Sequence, residues 1–333
     1  MATTVTKTIK SAAGDYTTVA LWEADTDNDL VTADEIQVGE IYDVNPTAAL
    51  TIAGATTDAT RYRELTVNSA FRHAGVWDTG KMNWTGTSKP LTLGETFARA
   101  EYLQIKNTHA TAGNGEILIT ANNCLVGQCI LWMTQDDGLD GNAGVTWSAV
   151  TGVTVRNTVS YNNRHGISIT NAGGTGASIE NCALVANTNS GMFTATGAAP
   201  VVKNTYLGGN AVRDLSTSGN PDVDWTITTS MASDANSSET GLTNSIAWDT
   251  TNFTNVTAGS IDIHLVTGSD LIDAGTDLSG TFTIDINGAT RSGTWDVGPD
   301  EFVAAAGGDN RIFWPANLDG IGSGGPFPGH RVQ

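Results

Sequence analysis

Three stretches, VTVRNTVSYNNRHGISIT (153–170), ASIENCALVANTNSGMFTAT (177–196) and PVVKNTYLGGNAVRDLST (200–217), align without gaps at their starts. Each reads apolar-x-Asn-[Thr/Cys], an apolar residue, a polar turn near Asn163, Asn187 or Asn210, and a second short strand. The marker residues Asn157, Asn181 and Asn204 recur at spacings of 181 − 157 = 24 and 204 − 181 = 23. A unit this short cannot bury its own apolar side chains, so its repetition means stacking of units. Two or three short strands per unit fit one turn of a parallel β-helix. Val155, Ile179 and Val202 are then the inward side chains. The repeated Asn is a ladder at one corner, its amide satisfying turn backbone groups that would otherwise be orphaned. The frame L-x-x-L-x-L of a leucine-rich repeat is missing.

Outward from this core the pattern continues. ILITANNCLVGQC around Asn123 and LQIKNT around Asn107 read as earlier rungs, and LTVNS at 65–69 as another. The structural ladder expected is therefore Asn107, Asn123, Asn157, Asn181 and Asn204. Alternating runs separated by Gly, Asn, Asp and Thr begin at Glu35. The sequence predicts one helix, 15–25, with Asp15 as N-cap and Tyr16, Val19, Ala20 and Trp22 on one face. The expected organisation is an N-terminal lead-in and cap (1–60), β-helix coils (61–235), a C-terminal β closing module (236–302) and a Gly/Pro/aromatic tail (303–333).

Composition narrows the function. The chain has 333 residues, and 16 Lys+Arg against 35 Asp+Glu leaves −19, which argues against a nucleic-acid partner. Charged residues are 15%, and Thr, Ser, Asn and 38 Gly carry the polarity, a balance that favours strands and tight turns. No run approaches a membrane span, so no membrane partner is expected. The N-terminus lacks the apolar core of a secretory signal. Cys124, Cys129 and Cys182 are too few for a disulfide scaffold and read as small buried hydrophobes.

The three rungs resemble right-handed parallel β-helix proteins of the pectate-lyase-like superfamily, of the kind bacteriophages encode as virion decoration or spike proteins. GDYTTVALWEA (14–24) is similar to their N-terminal segment. SDLIDAGTDLSGTFTIDINGATRSGTWDVGPDEF (269–302) is similar to their closing module, with an Asp-Ala-Gly turn, D-x-[DN]-G-x-x-R and a W-D-x-G-x-x-E-[FY] strand. Asn287-Gly288 would form a type I′ turn, and Pro299 suggests an edge strand. The resemblance covers about residues 12–302 and implies an all-β, right-handed parallel β-helix with an N-terminal capping helix. It says little of activity, because the scaffold hosts lyases, hydrolases, adhesins and spikes.

For chemistry, the lyases of the fold imply carboxylate-bound Ca²⁺ with a Lys or Arg base, and the hydrolases a carboxylate pair. Asp25, Asp27 and Asp29 open like an EF-hand loop, but Leu30 stands where Gly is required and Ile36 where Glu is. Asp136, Asp137 and Asp140 form a second cluster. Arg156, Glu180 and Lys203 occupy equivalent places in successive rungs and read as a cross-strand ion-pair stack. His73, His109, His165 and His264 share no motif. Trp77, Trp84, Trp132 and Trp147 are candidates for stacking on sugar rings. No catalytic residue, metal or cofactor is expected. The reading is a non-catalytic structural component of a bacteriophage virion, assembled in the host cytoplasm, with a homotrimer and a host surface glycan left open. The alternative is a polysaccharide lyase, hydrolase or depolymerising tailspike. Other virion proteins would be met through the tail, by Arg311, Ile312, Phe313, Trp314, Pro315 and Phe327.

Overall fold

The computed structural model describes residues 1–108, 115–134, 138, 141–170, 175–194, 198, 200–217, 225–234 and 239–304. The chain divides into two units, 1–302 and 303–333, and all the described strands belong to the first. Most of these strands fall into three parallel sheets of nine, eight and seven strands, here called A, B and C. One coil visits each sheet in turn: Thr154–Arg156 in A, Val159–Tyr161 in B, His165–Ile169 in C. The next coil repeats this with Ser178–Glu180, Ala183–Val185 and Ser190–Thr194, in register with the last. Such stacking at about 4.8 Å per coil makes a parallel β-solenoid of about seven turns.

The registers explain the sequence pattern. In sheet A, Ala100, Val126, Val155, Ile179 and Val202 follow one another strand by strand, and each is 0% exposed. The expected inward residues are thus inward. Sheet B differs. VSY, ALV and YLG are buried at every position, on both faces. Their inner side chains join the solenoid core, and their outer ones form a second core with Phe253, Ile263, Leu265, Leu271, Ile286 and Val297 of the C-terminal segment. Continuous apolar runs are what a sheet covered on both faces requires.

Both ends depart from expectation. Thr3–Ile9 and Glu35–Ile41 already belong to sheet A and Leu50–Ile52 to sheet C, so solenoid pairing begins well before residue 60. The helix is shorter than expected, Val19–Asp25, and its N-cap is Thr18, whose hydroxyl accepts from Leu21 N at 3.2 Å. Asp15 instead takes the backbone N–H and hydroxyl of Thr8. Trp22 lies fully buried over Gly39, where a Cβ would sit 2.6 Å from the indole. In the C-terminal segment Leu242–Thr243 still joins sheet B, and beyond it, among the described residues, only Phe253–Asn255 and Asp262–Leu265 pair as strands. The expected strand at 295–302 is irregular backbone held by the Asp296 carboxylate, which accepts from Asp273 N at 2.7 Å and Phe302 N at 2.5 Å. The type I′ turn is also absent, because Gly288 has positive φ and Asn287 does not. Asp285 organises that turn by accepting from Asn287 N and Ala289 N.

Candidate functional site

Asn157, Asn181 and Asn204 stand at one corner, each following its sheet-A strand with φ between +45° and +49° and each 0% exposed. Asn tolerates this left-handed backbone better than other residues with a Cβ. Their side chains do less for one another than expected. Asn204 Nδ2 donates to Asn181 Oδ1 at 3.3 Å, but the shorter bonds run to the C-terminal segment. Asn204 donates to Thr276 O at 2.7 Å and accepts from Thr276 N at 2.8 Å. Asn181 donates to Asp296 O and Gly298 O, and Asn157 to Ile284 O at 2.7 Å. Arg291, buried and paired with Glu301 at 3.0 Å, donates to Asn157 Oδ1 at 3.1 Å. The column is a docking rail for residues 276–298.

Two expected members lie elsewhere. Asn107 ends the sheet-B strand Gln104–Asn107 and pairs in register with Met133, so its K-N-T resemblance to R-N-T belongs to another corner. Asn123 is exposed and precedes the strand Leu125–Gly127. The column positions there are Tyr102 and Gln128, with φ of +61° and +49°. The signal that finds them is place rather than type: each lies two residues after the inward apolar side chain. The amides that do bond head to tail are Asn163, Asn187 and Asn210, at the corner between sheets B and C. Asn163 N donates to Asn187 Oδ1 at 3.1 Å, and Asn187 N and Nδ2 donate to Asn210 Oδ1 at 3.0 and 2.9 Å.

The outer face of sheet A carries the charges. Glu101, Gly127, Arg156, Glu180 and Lys203 form one column. Lys203 reaches Glu180 at 3.5 Å, but Arg156 passes over the bare Gly127 to Glu101 at 2.8 Å. A Cβ at residue 127 would lie 3.3 Å from the Glu101 carboxylate and 3.5 Å from Arg156 Nε. Beside this column Glu64 and Arg99 are register partners. Burial, with the nearby Glu101 charge, pushes the Glu64 carboxyl up to about 7. A second charged knot ties the C-terminal segment together. His264 Nδ1 meets Asp262 Oδ1 at 2.6 Å, and its Nε2 faces Asn287 Oδ1 at 3.3 Å and Asp300 at 4.0 Å. The bond to Asp262 and the Asp300 charge, against desolvation, hold this imidazole up at about 9.

The remaining candidates separate. Trp84 and Trp147 are 0% exposed and fill the solenoid core, which removes them from any glycan surface. Trp132 is half-buried between Tyr161, stacked at 5.9 Å, and the Lys106 ammonium at 4.2 Å, with Trp77 edge-on at 5.6 Å. Neither face of Trp132 is left open to a sugar ring. Cys124, Cys129 and Cys182 are buried, and desolvation raises their thiols to about 12. Buried His73 donates through Nε2 to Gln128 O at 2.8 Å and accepts from Gly75 N at 3.2 Å through Nδ1, and desolvation lowers it to about 4. His165 contacts Ser190 Oγ at 2.6 Å. Asp29 caps the short helix Leu30–Ala33. Asp136, Asp137, Asp140, His109 and the tail residues Arg311, Ile312, Phe313, Trp314, Pro315 and Phe327 lie outside the described residues. Among the described residues no helix is long and apolar enough to cross a membrane, and no cluster of His, Cys, Asp or Glu has metal-binding geometry.

The fold therefore defines the class, a parallel β-solenoid with a C-terminal segment laid along its side. Compared with known proteins, the chain matches no family model and no curated sequence.

Proposed function

We propose that this protein is a non-catalytic structural component of a bacteriophage virion, a capsid-decorating protein or short spike built on a pectate-lyase-like, right-handed β-helix. The observation that carries the reading is the lateral lock. Residues 276–298 bond to three successive coils through Asn157, Asn181 and Asn204, and apolar side chains of the same segment cover the outer face of sheet B. Buried, partnered groups of this kind favour a stiff, persistent body over a mobile catalytic cleft. The acidic surface and the resemblance of about residues 12–302 support the virion assignment. Other virion proteins are the partners under this reading, met through residues 309–333. The test deletes 309–333 in the producing phage and measures particle incorporation beside the melting temperature of the purified chain. Loss of incorporation at unchanged melting is expected. Incorporation that survives with a lowered melting temperature would assign the tail to its own chain and refute the docking role.

One observation favours a second reading, a polysaccharide lyase or hydrolase. Glu64 and Glu101 stand on neighbouring strands of an outer sheet face, and Glu64 holds its proton to about pH 7, as a general acid must. Release of unsaturated or reducing ends from acidic polysaccharides, abolished in Glu64→Gln, would establish it over the structural role.

A further inference from the structure

Arg99 stands out among the charged groups of sheet A. Its guanidinium lies over the Tyr62 ring, 3.5 Å from the centroid. Among the described residues it makes no hydrogen bond and no ion pair, although Glu64 is its register partner on the adjoining strand. Nearby arginines are ion-paired: Arg61 with Asp34 and Asp58 at 2.7 and 2.8 Å, Arg63 with Glu95, and Arg156 with Glu101. None of its nitrogens is buried without a partner, so its five donors stand open to solvent and to a ligand.

Those donors border a surface groove of about 410 Å³, whose walls include Thr4, Ile36, Thr60, Arg61 and Tyr62. That volume lies within the usual range of small-ligand sites. Two threonines and a tyrosine supply neutral polar groups beside an apolar wall of Met1, Ala2, Ile36 and Ala59. Arg61 adds little net charge, since two carboxylates already face it. Among the groove's side chains, the cation left to a ligand is Arg99, held on a ring that limits its rotamers. A planar, pre-oriented guanidinium suits a carboxylate or phosphate bidentately. We propose that the groove at the N-terminal end of sheet A binds a sugar-sized organic oxyanion, anchored by Arg99 on the Tyr62 platform.

Glu64 tunes this site without entering it. It faces Arg99 and Glu101 on the next strand, Arg156 two strands further on and Arg72 in the loop after its own strand, and Arg156 already engages Glu101. While Glu64 is protonated the charge of Arg99 is uncompensated. Once Glu64 ionises, its negative charge beside Arg99 opposes an incoming anion. Affinity therefore falls as pH rises through about 7.

The groove is independent of a virion role, and its occupancy is tested separately. The full chain is titrated by calorimetry with glucuronate, inorganic phosphate and glucose at about pH 5.5 and about pH 8.5. Glucuronate should bind about tenfold or more tightly than glucose, and Arg99→Gln should remove that advantage. Arg99→Lys, which keeps the charge and loses the fork, should bind in between. Saturation by phosphate as well marks the oxyanion itself as the recognised group, and saturation by glucuronate alone marks a sugar acid. Glu64→Gln should abolish the pH dependence while keeping the affinity seen at low pH. Equal binding of glucose and glucuronate, or undiminished binding in an Arg99→Gln protein of unchanged melting temperature, overturns the proposal. So does a wild-type chain that saturates with neither anion.

Discussion

Replacing Asn181 by leucine removes one rung of the docking rail. The lost side chain donates to two carbonyls, Asp296 O at 3.2 Å and Gly298 O at 3.1 Å. Gly298 O retains a second donor, Arg291 Nη2 at 3.0 Å, and Asn204 Nδ2, which loses its 3.3 Å bond to Asn181 Oδ1, keeps Thr276 O, so the group left with no partner is Asp296 O. Burying an unsatisfied carbonyl costs about 1–3 kcal/mol. Leucine must also adopt the φ of +49° that asparagine tolerates, which adds about 1–2 kcal/mol. The sum, about 2–5 kcal/mol, corresponds to a melting decrease of roughly 3–8 °C for a unit of this size. Asn181→Gly separates the contributions, because glycine accepts the backbone angle and forfeits only the hydrogen bonds. It should recover the strain and melt between the two. Hydrogen exchange gives the local readout: the amides of Val297 and Gly298, which bond Leu271 O and Asn204 O, should lose protection before those of sheet A. A leucine variant that melts within about 1 °C of wild type with these amides still protected would refute the rail.

Other expectations rest on the charged groups and the core. The folded state binds the Glu64 proton more tightly than the unfolded chain, so its contribution is full at acid pH and is lost as pH rises from the ordinary carboxyl range through about 7. Glu64→Gln should therefore raise the melting temperature at pH 8 and not at pH 4. His264 is raised in the same sense, so stability it provides is complete below its ordinary value near 6.5 and fades through about 9. Melting of wild type against His264→Gln between those limits should converge as pH rises. Gly127→Leu should break the Arg156–Glu101 bridge by filling the gap it crosses, a double-mutant-cycle coupling that vanishes in the leucine background. The three thiols should resist a disulfide reagent at neutral pH until the chain unfolds, because desolvation holds them near 12.

The solenoid was legible because one physical constraint repeats. Val155, Ile179 and Val202 must face inward, and a left-handed turn follows each strand, so apolar and Asn markers recur together. Where the backbone angle stayed and the residue changed, as at Tyr102 and Gln128, the pattern vanished from the sequence though not from the fold. Asn107 misled for the opposite reason, sharing the local string K-N-T while ending a strand of sheet B. The docking role of the Asn column was illegible because its partners lie far along the chain: Asn157 bonds Ile284, 127 residues away. Burial of sheet B on both faces left a trace in its largely apolar triplets, but nothing in them names the covering segment. The unpaired donors of Arg99 were hidden altogether, since its register partner is a glutamate and nothing in the sequence shows that its guanidinium lies over Tyr62.

The lateral lock also bears on how such a protein can change its length over generations. A solenoid whose coils touch only their neighbours can gain or lose a repeat by duplication or deletion, the new coil inheriting its contacts from either side. Here Ile284, Asp296 and Thr276 are spaced to meet three consecutive coils. A duplicated repeat between Asn157 and Asn204 would move the two anchor points apart by about 4.8 Å. The segment would then have to abandon one of them. Coils added before the strand Arg99–Glu101 or beyond Thr226–Thr228 leave those three anchors undisturbed. The braced coils are thus frozen in number, and variation in length is channelled to the two ends.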